Sequence, residues 1–137
     1  MFEDDMFFVE LEGKILTDIQ GDVGDDEMIF TTSDGKKYRL YHYQDCCEDV
    51  SIEDIVGNLN DLIGVPLLMA EEVSFENKNP DGVNVPKYQD SFTWTFYKLA
   101  TIKGYVTIRW YGASNGYYSE SVSFEEIDKG EKNDTDN

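Results

Sequence analysis

A chain of 137 residues, 40 % hydrophobic and 14 % aromatic, carries enough apolar side chain for one good core and hardly two. Its 29 acidic side chains against 11 basic give a formal charge of −18. That charge excludes a direct grip on nucleic-acid phosphates through counterion release, disfavours anionic membranes, and draws the chain towards basic surfaces such as the nucleic-acid channels of other proteins.

The N-terminal run MFEDDMFFVELEG lacks a basic n-region, a long apolar stretch and a small-residue cleavage site, so residence in the cytoplasm is the expectation. No run approaches the ~18 to 20 apolar residues of a membrane span. Phe7, Val9 and Leu11 alternate with Phe8, Glu10 and Glu12, which reads as a strand broken by Gly13. Lys14 to Gln20 fits a short helical turn as well as a strand. The loop after it carries Asp22, Asp25, Asp26 and Glu27 without the spacing of a calcium loop, and reads as a solvated turn.

In EMIFTTSDGKKYRLYHY two β-rich runs flank Asp34-Gly35, a hairpin signal of the type I′ kind in which both central residues take positive φ. The second strand puts Tyr38, Leu40 and His42 on one face, and Lys37, Arg39, Tyr41 and Tyr43 on the other. A lone His at that strand end reads first as a hydrogen-bonded structural residue. Ile52, Ile55, Val56, Leu59, Leu62 and Ile63 recur at helical spacing, predicting a short helix between about Ser51 and Ile63. The alternative is a strand Asp49 to Ile52 with a helical turn at Asn58 to Leu62. Leu67 to Phe75 reads as a buried strand, and the aperiodic loop Glu76 to Asp90 as the mobile, contact-bearing element.

Residues 91 to 125 pattern as a three-stranded meander with turns at Lys103-Gly104 and Gly112 to Gly116. Its core face carries Phe92, Trp94 and Phe96 on one strand, and Val106, Ile108 and Trp110 on the next. The expected fold is α+β, mainly antiparallel sheet with one short helix, as a single domain over residues 1–127 followed by a disordered acidic tail, 128–137.

Lys37 to Gly57 concentrates the chemistry, holding the only His and both Cys within six residues, beside Asp45, Glu48, Asp49, Glu53 and Asp54. Zinc sites use cysteines two to four residues apart, whereas Cys46 and Cys47 are adjacent. A bond between them would close a strained vicinal ring, so free thiols are expected. His42, Cys46 and Cys47 remain a weak alternative metal or thiol centre, since His42 is the one base nearby and the surrounding acids disfavour a thiolate. No phosphate loop occurs. The expectation is no catalytic residue, no metal and no cofactor.

The runs FTTSDGKKYRLYHYQDCCEDVSIEDIVGNLNDLIGVPLLMAEE and TWTFYKLATIKGYVTIRWYGASNGYYSESVSF carry Asp34-Gly35, the stretch HYQDCCE, Gly64, Trp94 and RWYGASNGYYSESV. On these elements, over about residues 12 to 125, the chain resembles a family of small uncharacterised proteins of bacteriophages and prophages. The resemblance implies phage origin and one compact domain, and assigns no catalytic residue. With the charge, it leads to an expected role as an acidic inhibitor of a bacterial nucleic-acid-targeting defence system, of the anti-CRISPR or DNA-mimic kind. The partner would be a basic nucleic-acid-binding host protein or complex, met through Tyr41, Tyr43, Asp45, Glu48, Asp49, Glu53, Asp54, Asp22, Asp25, Asp26 and Glu27. The alternatives are an accessory enzyme centred on His42, Cys46 and Cys47, and a structural or regulatory phage protein.

Overall fold

The computed structural model describes residues 7–127; the expectation of a tail over 128–137 lies outside the described residues. Eight strands follow in order: β1 (Leu16–Gln20), β2 (Glu27–Thr32), β3 (Lys37–Tyr41), β4 (Asp49–Val56), β5 (Met69–Glu76), β6 (Ser91–Thr101), β7 (Gly104–Ser114) and β8 (Ser123–Glu126). They form two four-stranded antiparallel sheets, ordered β1-β2-β3-β8 and β4-β7-β6-β5. Among the described residues helix is limited to two single 3-10 turns, Phe8–Leu11 and Leu59–Leu62. The fold is therefore mainly β, where the sequence pattern reads as α+β.

One core joins the sheets. Met28, Phe30, Tyr38, Leu40 and Phe124 from the first pack in the same cluster as Val50, Ile52, Tyr97, Leu99, Val106, Ile108 and Trp110 from the second. Alternation along β2 and β3 is regular and puts Tyr38, Leu40 and His42 inside, as the sequence pattern predicts. The 3-10 turn at Phe8–Leu11 replaces the predicted N-terminal strand, because Phe8 and Leu11 lie three apart and both bury. Phe7 and Val9 stay exposed.

Three other expectations are corrected. Of the two readings of Ser51 to Ile63 the single helix is replaced by the alternative of a strand and a turn: β4 starts at Asp49 but runs on past Ile52 to Val56, and a 3-10 turn follows at Leu59–Leu62, which Asn58 caps by accepting a bond from the Asn60 N–H at 3.0 Å. The register between β4 and β7 shifts between Ile52 and Asp54. After buried Val50 and Ile52 that bulge turns the partly buried Ile55 towards the core, so a strand acquires a three-residue step. The Asp34-Gly35 hairpin exists but is not type I′: Gly35 alone has positive φ, at 85°, and its N–H bonds Thr32 O at 3.0 Å. The loop is the longer kind, a tight turn closed by a glycine in the left-handed region.

The C-terminal meander is the third. β6 and β7 pair over their full lengths, but Gly112 belongs to β7, and β8 leaves the second sheet to pair with β3. Moreover, β6 buries Tyr97 and Leu99 in the core, while Phe92 and Trp94 face away from it. Trp94 is nonetheless 1 % exposed, since the loop after β5 folds over it. Asn79 Oδ1 accepts from Trp94 Nε1 at 2.9 Å, and Gln89 clamps both Asn79 and the Tyr111 hydroxyl at 2.9 to 3.1 Å. The segment expected to be mobile is thus tied down near its start and at its far end.

Candidate functional site

The HYQDCCE stretch is a turn closed on the carboxylate of Glu48. Its Oε2 accepts from the Asp45 N–H at 2.8 Å and meets His42 Nε2 at 2.7 Å, and its Oε1 accepts from the Cys46 N–H at 3.0 Å. Gln44 donates to the Glu48 carbonyl across the same turn. Donation by the Cys46 N–H, with further bonds from Asp45 and His42, overrides desolvation and lowers the Glu48 pKa to about 2. Glu48 is 4 % exposed, so it is not the surface contact that the sequence reading expects. Its side chain is fully shielded from solvent and both oxygens are engaged within the turn, which keeps the carboxylate from a partner's reach.

His42, 6 % exposed, has its other nitrogen, Nδ1, 2.8 Å from the carbonyl of Ser121. The imidazole therefore bridges the turn to the crossing segment between β7 and β8. Both nitrogens are engaged, in accord with a structural role. Cys46 and Cys47 are exposed and joined sulfur to sulfur, which corrects the expectation of free thiols. In a strand the two side chains would diverge; here the backbone turns between Asp45 and Glu48 and they converge. Among the described residues no group of three or more His, Cys, Asp or Glu is arranged to hold a metal ion. The arrangement contains no nucleophile facing a free base.

Apart from buried Glu48, the predicted acidic residues sort into two kinds. Asp22, Asp25 and Asp26 are exposed on a loop that docks by its backbone on β4 and on the end of β3. The Gly24 N–H donates to Ile52 O at 2.8 Å, the Ile52 N–H to Asp25 O at 2.9 Å, and the His42 N–H to Asp26 O at 3.2 Å. The loop thereby covers the outer edge of β4 and brings its aspartates to the edge that also bears exposed Asp45 and Asp49. Glu27, Glu53 and Asp54 are instead paired. Arg39 reaches Glu27 at 3.4 Å, while Arg109 meets Glu53 at 2.6 Å and Asp54 at 3.3 Å across the β4 bulge.

The two tyrosines also part. Tyr43 is 79 % exposed, whereas the Tyr41 ring lies 3.9 Å from the Arg39 guanidinium and its hydroxyl donates to Glu125 at 3.2 Å. Sequence reasoning missed the role of Glu48. A lone His six residues before an acid that follows a turn is a signal for it, but one drowned by the number of acids nearby.

A family model described as a domain of unknown function, DUF7448, matches residues 9–124. No curated protein and no solved structure matches the chain.

Proposed function

We infer the function of this chain, which belongs to the DUF7448 domain family, from where its unpaired charge lies. It is an acidic binding protein of a phage or prophage that occupies a basic surface of a nucleic-acid-binding host complex in the bacterial cytoplasm, inhibiting a defence system in the anti-CRISPR or DNA-mimic manner. Carboxylates stand in for phosphates against lysine and arginine of the target.

The observation that carries this reading is the shared edge of Asp22, Asp25, Asp26, Asp45 and Asp49. The two groups are far apart in sequence and are joined through the backbone bonds to Ile52 and His42. All five are exposed, and none forms an ion pair among the described residues. Exposed Tyr43 beside them supplies the aromatic anchor that charge-steered interfaces need. Glu27, Glu53 and Asp54 add to the field but already hold arginines.

The test is capture of host complexes on the immobilised chain at low and high salt, with competing DNA. Salt-sensitive recovery of a nucleic-acid-binding complex, displaced by DNA, is the expected outcome. A variant with Asp22, Asp25, Asp26, Asp45 and Asp49 changed to Asn should lose association rate and salt dependence. If it binds like the parent, the phosphate-mimic reading is wrong.

A further inference from the structure

Cys46 and Cys47 are the only cysteines of the chain, and both are exposed while bonded sulfur to sulfur. A disulfide steadies a fold mainly by shortening the loops open to the unfolded chain, and neighbouring residues leave almost no loop to shorten. Packing gives no second reason, since the pair lies outside the core that joins the sheets. The turn itself is held by other groups. The Asp45 and Cys46 N–H groups donate to Glu48 at 2.8 and 3.0 Å, and Gln44 Nε2 donates to the Cys46 carbonyl at 3.4 Å. The bond therefore contributes little to the fold, and its openness to thiols in solution is the mark of a labile, chemically active disulfide.

Glu48 sets the geometry in which the ring closes. In an extended strand adjacent side chains point to opposite faces, and the two sulfurs would not meet. Here one buried carboxylate gathers two successive N–H groups, and the bend this imposes brings the sulfurs together. The coupling is reciprocal: what favours the bend favours the closed ring, and closing the ring favours the bend. Charge then selects what reaches the sulfurs. Exposed Asp45 and Asp49 flank the pair, and the loop of Asp22, Asp25 and Asp26 lies at the same edge. An anionic thiol is repelled there, whereas a cationic one is drawn in.

We propose that Cys46 and Cys47 form a thiol–disulfide exchange site, a reversible two-electron couple that reacts with small thiols of neutral or positive charge and whose balance Glu48 and Gln44 set by position. In opening, the thiolate of a small thiol attacks one ring sulfur. The S–S bond breaks, a mixed disulfide forms, and the released cysteine sulfur takes up a proton. A second small thiolate attacks the small-thiol sulfur of that mixed disulfide, which frees the other cysteine to take up its own proton. Two small thiols thus leave as their disulfide, oxidised by two electrons, and the chain holds two thiols; closure is the reverse, with the small disulfide as oxidant. The exchange does not rest on what the aspartate edge binds.

The test equilibrates the full chain with mixtures of reduced and oxidised dithiothreitol, quenches with iodoacetamide and counts the labels by mass spectrometry. One reversible transition is expected between an unlabelled chain and a chain carrying a label on each cysteine, with circular dichroism unchanged across it. Amide exchange should quicken on reduction at Asp45 and Cys46 and stay as it was in the core strands. Glu48→Gln should move the equilibrium towards the dithiol by about tenfold, the size expected for losing a charge-assisted hydrogen bond. Gln44→Ala, an exposed change that leaves the Glu48 carboxylate in place, should move it the same way by less, which keeps the test open if Glu48→Gln fails to fold. Cysteamine should open the ring about tenfold faster than mercaptoethanesulfonate at low salt, each rate scaled to that thiol's rate on a neutral model disulfide, and the gap should close at high salt. Free thiols that persist in the oxidised mixture, bonds between chains in place of the ring, loss of the fold on reduction, or equilibria unmoved in the folded variants would each overturn the proposal. Equal scaled rates for the two small thiols would overturn the charge selection.

Discussion

At the scale of single residues, Glu48 is the side chain on which most depends. Its pKa is depressed in the folded chain, so the stability it contributes is fully present above the ordinary carboxylate value of about 4.5 and is lost as pH falls towards about 2. Glu48→Gln should therefore lower the melting temperature at neutral pH and flatten the acid limb of the stability curve between those values, as followed by circular dichroism. A parent and variant with parallel acid limbs would contradict it. His42 was legible in the sequence as an inward-facing structural residue, because strand alternation fixes its face. The bridge to Ser121 was not, since the partner is a backbone carbonyl 79 residues away and any residue type could have provided it. The cysteines misled for a related reason: their divergence in a strand is dictated by local pattern, their convergence by a turn that Glu48 organises from outside the pair.

Among the elements, the hairpin and β7 were readable because each keeps one face buried throughout. β4 and β6 were not. In β4 the bulge at Glu53 breaks the two-residue period, so Ile52, Ile55, Val56 and Leu59 imitate a helix. In β6 the register is unbroken, yet burial changes face along the strand: the loop covers Phe92 and Trp94 at one end, and the core covers Tyr97 and Leu99 at the other. A pattern reader sees one aromatic run and assigns it one face. The loop's hold on Trp94 is open to test. Asn79→Ala leaves a buried indole N–H unpaired and releases Gln89, so it should cost about 1–3 kcal/mol and speed amide exchange through residues 79–89. The crossing segment is tested at Gly112, where an added Cβ would sit 2.8 Å from Glu120 O and 3.0 Å from a Val50 methyl. Gly112→Ala should destabilise by roughly 1–3 kcal/mol through overpacking, and a thermal melt would show it. An unshifted melting temperature would mean that the crossing segment yields freely.

For the molecule as a whole, the surplus of 18 negative charges acts on stability as well as on partners. Self-repulsion is screened as the Debye length falls from about 30 Å at 0.01 M salt to about 8 Å at 0.15 M. The melting temperature should therefore rise with sodium chloride, by about 1 kcal/mol or roughly 3–5 °C at this chain length. A melting temperature that falls over that range would show that the ion pairs of Arg39 and Arg109 outweigh the net repulsion. The crossing of β8 to the first sheet also sets a timetable for synthesis. β3 lacks its neighbour until residues 123–126 have been made, although its other partner, β2, is complete more than 80 residues earlier. A ribosome would thus hold a nascent chain with a bare strand edge through most of translation. The first sheet closes only when the segment pinned by His42 and Glu120 has left the exit tunnel, so the two sheets are completed late and together, and a chain stopped before Ser123 should be captured by chaperones as an unfinished sheet.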